Sequence, residues 1–152
     1  MNSKIRWLLF LTGGFFLLAD RLLKYAALHN WSGKNFLTDW FGWSPWTNTG
    51  AVFGLPLSIP LIIICSIPMI ALIIFLFIRQ RNNLFSQVGL FFIFLGALSN
   101  LFDRIVYHST IDYFAILTGI INLADILILT GAALFTWTNF KRNNEQSHVS
   151  QT

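Results

Sequence analysis

Residues 111–126 read Ile111-Asp112-Tyr113-Phe114-Ala115-Ile116-Leu117-Thr118-Gly119-Ile120-Ile121-Asn122-Leu123-Ala124-Asp125-Ile126, a stretch in which two aspartates interrupt an otherwise apolar chain. Asp125 lies inside the last hydrophobic run, Ile120 to Phe140, and Asp112 lies just before it. An ionisable group at membrane depth costs on the order of several kcal/mol, so it marks a candidate functional site. The fold turns on whether this run spans a bilayer or fills the core of a soluble domain.

Composition decides for the bilayer. Of 152 residues, 55% are hydrophobic and 11% charged, and the mean hydropathy is +0.64. A soluble domain carries roughly 25% charged residues. A span needs roughly 20 apolar residues, which leaves room for about four spans and short loops. The net charge of +4 does not point to nucleic acid, because the basic residues sit in small groups at the ends of apolar runs. The single cysteine, Cys65, falls in mid-span, where it has no disulfide or metal partner. His29, His108 and His148 lack ligand spacing and read as interfacial or tail residues.

Four spans are expected, at about 7–27, 58–78, 87–106 and 120–140, in a single membrane domain over 1–140. Lys4 and Arg6 followed by Trp7 to Ala19 resemble a signal peptide. No small-x-small cleavage site follows, however, and the segment runs on to Ala27, so it reads as an uncleaved first span. Segment 28–57 is polar and carries Trp31, Trp40, Trp43 and Trp46, a composition suited to the interface and to short strands rather than a helix. Pro68 predicts a kink in the second span. A polar hinge from Arg79 to Asn83 precedes the third span, and a hairpin from Tyr107 to Gly119 precedes the fourth. Residues 141–152 read as a disordered polar tail.

Lys4 and Arg6, Arg79 and Arg81, and Lys141 and Arg142 fall at alternate ends of these spans. The positive-inside rule then places both termini in the cytoplasm. The polar residues within the spans gather at the opposite ends: Asp20 and Lys24; Asn100, Asp103 and Arg104; Asn122 and Asp125. Spacings of three and four put each pair on one helix face, so three helices aim polar groups into one layer near the outer surface.

Three readings of Asp112 and Asp125 are open from the residues alone. As a close pair sharing one proton they form an aspartic-peptidase dyad, in which one carboxylate activates water and the other polarises the scissile carbonyl. Alternatively, each pairs with Arg104 or Lys24 and holds helices together, or the two relay protons in a small transporter. Transport sites favour the midplane, which weighs against the last. Asp103 reads as a local support for Arg104. Asn48-Thr49-Gly50-Ala51-Val52-Phe53-Gly54 suits a turn, either an ordinary interfacial one, which the residues alone favour, or one whose glycines allow close backbone approach to a ligand. No Gly-x-Ser-x-Gly or His-Glu-x-x-His element is present.

Five segments in order resemble the lipoprotein signal peptidase family (signal peptidase II, aspartic type). They are Asp20 to Lys24, Asn48 to Gly54, Gly96 to Arg104, Ile111 to Phe114, and Ile121 to Asp125. The resemblance covers about residues 5 to 140. It implies an all-α membrane protein of four transmembrane helices, with a small extracytoplasmic β-cradle between spans one and two. It implies Asp112 and Asp125 as catalytic residues. Asn48, Gly50, Asn100, Arg104 and Asn122 would bind substrate or support the dyad, and Asp20, Lys24 and Asp103 would be structural. The implied substrate is a prolipoprotein carrying diacylglycerol on its lipobox cysteine, cut just before that cysteine by a monomer in the bacterial inner membrane. No metal or other cofactor is implied. An inactive paralogue would share the fold, but intact Asp112 and Asp125 argue against one. Ser99 and Ser109 stand where the family usually has Gly, and Tyr113 and Ile121 where it usually has Phe.

Overall fold

A computed structural model of the chain describes residues 3–29, 33–38, 40–50, 57–80 and 83–149. Trp31, Ala51 to Gly54, Arg81, Asn82 and residues 150–152 lie outside the described residues, as do the side chains of Arg6 and of residues 143–149, His148 included. The elements in chain order are α1 (Ser3–Leu28), β1 (Asn35–Thr38), β2 (Phe41–Asn48), α2 (Ile59–Arg79), α3 (Leu84–Tyr107), β3 (Thr110–Ile116), β4 (Gly119–Ile121) and α4 (Leu123–Val149).

Local chemistry sets the helix ends. Pro60 stands in the first turn of α2, where a missing N–H costs nothing. Pro68 lies inside α2, and the helix runs through it from Ile59 to Arg79. Asn83 caps α3 by accepting from the Ser86 N–H at 3.1 Å, and His108, left-handed at φ 53°, ends that helix. Three helices are long and apolar enough to cross a membrane among the described residues: Ile59–Arg79, Leu84–Tyr107 and Leu123–Arg142. The 26-residue α1 is long enough, at about 39 Å, but charged residues close its apolar stretch at both ends. Large apolar side chains such as Phe15, Ile67, Phe75 and Trp137 point outward, as expected where the solvent is lipid.

The tightest helix pair is α3 with α4. A Cβ on Gly89 would lie 2.7 Å from the Gly131 carbonyl oxygen, and one on Gly96 would strike the Ala124 carbonyl, so both glycines permit backbone contact.

The β structure corrects the expectation of a cradle built between spans one and two. The strands form one antiparallel sheet in the order β1-β2-β3-β4, and half of it comes from the hairpin that precedes α4. A lone β1–β2 hairpin would be marginal, and β3 supplies the missing partner. In the β2–β3 register Asn48 lies opposite Thr110, Trp46 opposite Asp112 and Trp43 opposite Phe114, with an irregularity between Trp43 and Trp46. Ile120 and Ile121 pair with β3, so the last helix starts at Leu123 rather than Ile120. Ile111 and Tyr113 of β3 pack with Ala27 of α1 in a small core flanked by Leu23, Trp43, Phe114 and Leu123.

A second correction concerns the tail, since α4 continues as helix to Val149. Side chains just past the apolar run tie this stretch of the helix to the α2–α3 hinge. Arg142 donates to Gln80 and Asn139 at 3.1 Å each, and Gln80 donates to Asn139 at 3.2 Å.

Candidate active site

The start of α4 organises the site. Asn122 immediately precedes the helix, and its side-chain oxygen accepts the Asp125 N–H at 2.9 Å. In return Asp125 Oδ2 accepts the Asn122 N–H at 3.2 Å. This is a capping box with Asn and Asp in its two places, and it fixes the Asp125 side chain against the helix start. The other carboxylate oxygen of Asp125 accepts from the Asn100 amide of α3 at 2.8 Å.

Asp112 approaches from β3. Its Oδ1 accepts from the Asn122 amide at 2.6 Å, and its Oδ2 accepts from the Asn48 amide of β2 at 3.2 Å. Asn48 is oriented by its own turn, because its oxygen accepts the Gly50 N–H at 3.0 Å and leaves the NH2 free to face Asp112. Asn122 thus donates to both aspartates, through its side chain to Asp112 and its backbone to Asp125. Asp112 is buried. Burial, and then the charge of Asp125, push its carboxyl from the ordinary 3.8 up to about 6, against the lowering effect of Asn122 and Asn48.

Behind the pair lies a buried charge cluster. Lys24 Nζ reaches Asp103 at 2.7 Å, Asp20 at 3.2 Å and the Asn100 oxygen at 2.9 Å. Asn100 therefore stands between Lys24 and Asp125. Arg21 binds Asp103 at 2.7 Å and Asp20 at 3.1 Å, lies over the Phe102 ring at 5.1 Å, and donates to Ser99, which itself donates to Asp20. Asp103 also accepts the Ile111 N–H of β3 at 3.3 Å. The Tyr113 hydroxyl donates to Asp20 Oδ1 at 3.1 Å and accepts the Leu123 N–H at 2.9 Å. Burial, and then Asp20, push this phenol well above its ordinary range, which keeps it a donor.

The structure brings together Asp112, Asp125, Asn48, Asn100 and Asn122, with Gly50 held in the Asn48 turn. Asp20, Lys24 and Asp103 form the layer behind them. Asp103 does not support Arg104 as expected. Its oxygens go to Arg21 and Lys24, which reach across from α1. Arg104 donates to the Asn100 carbonyl at 3.3 Å, its Nε is buried without a partner, and it forms no ion pair among the described residues. Asn48, Gly50, Arg104 and Asp125, with Arg21 behind them, are partly exposed.

Sequence reasoning missed three participants: Arg21, Ser99 and Tyr113. The signal for Arg21 was charge balance, since two buried carboxylates, Asp20 and Asp103, need more than one cation. Ser99 and Tyr113 stand out in the sequence only as departures from a family pattern, and both place a hydroxyl on Asp20. Of the other two departures, Ser109 donates to the Tyr107 carbonyl at 3.1 Å and Ile121 pairs with Phe114 in the sheet. No group of three His, Cys, Asp or Glu side chains suited to a metal occurs among the described residues.

Comparison with known proteins gives the family and the fold. The family described as signal peptidase (SPase) II matches residues 13–141. A lipoprotein signal peptidase of Clostridium novyi (strain NT) is 31% identical over 132 residues, covering 79% of this chain and 88% of the relative. One from Syntrophus aciditrophicus (strain SB) is 30% identical over 155 residues, covering 92% and 96%. A solved bacterial membrane enzyme superposes with a TM-score of 0.82 at 24% identity, covering 90% of each chain, so the fold is shared. With the match running from α1 into α4, and thus through every element that carries the site, the chain belongs to the signal peptidase II family.

Proposed function

We propose that this protein is a membrane aspartic endopeptidase that removes the signal peptide from diacylglyceryl-modified bacterial prolipoproteins, cutting just before the lipidated cysteine. The observation that carries the reading is the double role of Asn122, whose amide holds Asp112 while its backbone N–H holds Asp125. Two carboxylates bound to one residue in a buried site share a proton rather than ionise together, and such a pair titrates as a unit. The ionised member takes a proton from water. The protonated member polarises the scissile carbonyl and then supplies the proton that the leaving amine needs.

The remaining groups fit substrate handling. Arg104 is a partly exposed cation with no carboxylate partner among the described residues, available to a backbone carbonyl or lipid ester of the substrate. Asn48 and Gly50 hold one wall, and Asn100 connects Asp125 to the Lys24 cluster. In this reading α1 joins the three apolar helices as a fourth span and both termini are cytoplasmic. The sheet and dyad then lie toward the extracytoplasmic face, where a lipid-anchored cysteine would sit. The basic groups Lys4, Arg79, Lys141 and Arg142 support that orientation.

The test is cleavage of a synthetic diacylated prolipoprotein by the purified protein in detergent. Wild type is expected to release the signal peptide, and Asp112→Asn and Asp125→Asn to lose cleavage entirely. Turnover persisting in both variants rules out the dyad.

A further inference from the structure

The first three backbone N–H groups of α4 each end on a side chain. An α-helix leaves these donors without intrahelical partners. Leu123 donates to the Tyr113 hydroxyl at 2.9 Å, Ala124 to Asp20 Oδ1 at 3.2 Å, and Asp125 to the Asn122 side chain at 2.9 Å. Tyr113 in turn donates to the same Asp20 oxygen at 3.1 Å. One phenolic oxygen therefore joins three elements: β3, which carries it, α1, which carries Asp20, and the first turn of α4.

Two of these elements carry the aspartates. Tyr113 follows Asp112 directly, so on a strand the two side chains take opposite faces. Asp112 faces the site, while Tyr113 faces the core, fully buried beside Trp43 at 5.2 Å between ring centroids. Leu123 stands two residues before Asp125 in the same helical turn. Tyr113 touches neither reacting carboxylate, yet it joins the backbone next to one to the backbone next to the other.

We propose that Tyr113 is a positioning residue for the dyad: its hydroxyl, clamped between Asp20 and the Leu123 N–H, sets the spacing between the strand that carries Asp112 and the helical turn that carries Asp125. This rests on the peptidase reading. A phenol has one proton and accepting lone pairs, and here it uses both functions. Phenylalanine would keep the ring packing but leave the Leu123 N–H with no acceptor in a part-buried place. The dyad would relax by a fraction of an ångström, and misplacement by about 1 Å costs on the order of 10²-fold in rate.

The experiment uses the full chain in detergent with a diacylated prolipoprotein substrate, and wild type and Asp112→Asn run alongside. Tyr113→Phe is expected to lower kcat about tenfold with KM within about twofold, because the residue is sealed from substrate. Hydrogen exchange at the Leu123 amide is expected to quicken while Leu127, deeper in α4, stays protected. Leu123→Pro removes the same donor from the helix side at a position that tolerates proline. It is expected to lower kcat likewise, and the double variant to be no slower than the slower single one. This second variant decides the matter if Tyr113→Phe does not fold. Wild-type kcat in either folded single variant, or independent multiplicative losses in the double, overturns the proposal. Failure of wild type to cleave, or cleavage by Asp112→Asn, overturns the peptidase reading instead.

Discussion

The amide of Asn122 donates to Asp112 at 2.6 Å, the shortest bond made to that carboxylate, while the same residue caps the helix that carries Asp125. Two substitutions separate these roles. Asn122→Asp keeps an N-cap acceptor but sets a third carboxylate against Asp112, so activity is expected to fall on the order of 10²-fold or more with a small change in melting temperature. Asn122→Ala removes cap and donor together, and is expected to lose activity and also about 1 kcal/mol of stability. Cleavage assays paired with thermal melts in detergent check both, and equal effects on the two readouts in Asn122→Asp would contradict the division of roles.

The raised carboxyl of Asp112 gives the protein a pH signature. Its folded value of about 6 exceeds the ordinary 3.8, so the folded protein binds this proton more tightly than the unfolded chain does. The group therefore favours folding at low pH, and that contribution is lost as pH rises from about 4 to about 6. Asp112→Asn is expected to flatten this part of the profile of melting temperature against pH. In the proposed mechanism the one-proton form of the dyad is depleted above the same value, so kcat/KM is expected to decline with an apparent pKa near 6. A kcat/KM profile level from pH 5 to 8 would contradict it.

Lys24 neutralises two buried carboxylates at once. Lys24→Met leaves Asp20 and Asp103 with Arg21 as their one ion-pair partner among the described residues, and breaking a buried ion pair costs about 3–5 kcal/mol. The variant is expected to melt far below wild type or to fail to accumulate. Arg21→Met should do less damage, since that side chain is 27% exposed and water replaces part of what is lost. The reverse order of melting temperatures would show that Arg21, not Lys24, holds the cluster.

Gly96 lets α3 approach the α4 backbone one turn below Asn100. An added methyl at Gly96 would meet the Ala124 carbonyl oxygen and, at 2.7 Å, Ile128 Cγ1. Overpacking of this kind costs about 1–3 kcal/mol, and here it also separates Asn100 from Asp125. Gly96→Ala is expected to lose both stability and activity. Gly14→Ala meets nothing within 4 Å and is expected to be neutral or to stabilise by about 0.5–1 kcal/mol, which makes it the matched control for thermal melts.

Helical spacing made much of the polar layer legible. Asp20 and Lys24 are an i,i+4 ion pair, and Asn122 and Asp125 bond reciprocally three residues apart. What the sequence hid was long-range. β3 is buried on both faces along most of its length, so it lacks the alternation that announces a strand, and its partner β2 lies far upstream. Adjacency in the chain points Asp103 to Arg104, whereas its partners Arg21 and Lys24 lie far upstream on α1. The helical continuation beyond Phe140 was hidden for the same reason, as Arg142 finds Gln80 from another part of the chain.

The β2–β3 pairing also orders events during synthesis. Asn48 waits for Asp112, 64 residues later, before its amide has an acceptor. Until then the edge of β2 that β3 will cover is an open strand edge, able to recruit foreign strands. When β3 arrives it closes that edge and delivers the first aspartate in the same step, and the second follows with α4. On the proposed peptidase reading, a nascent chain therefore has no complete dyad until its last helix is made, and its unfinished forms pose no proteolytic hazard to the membrane that receives them.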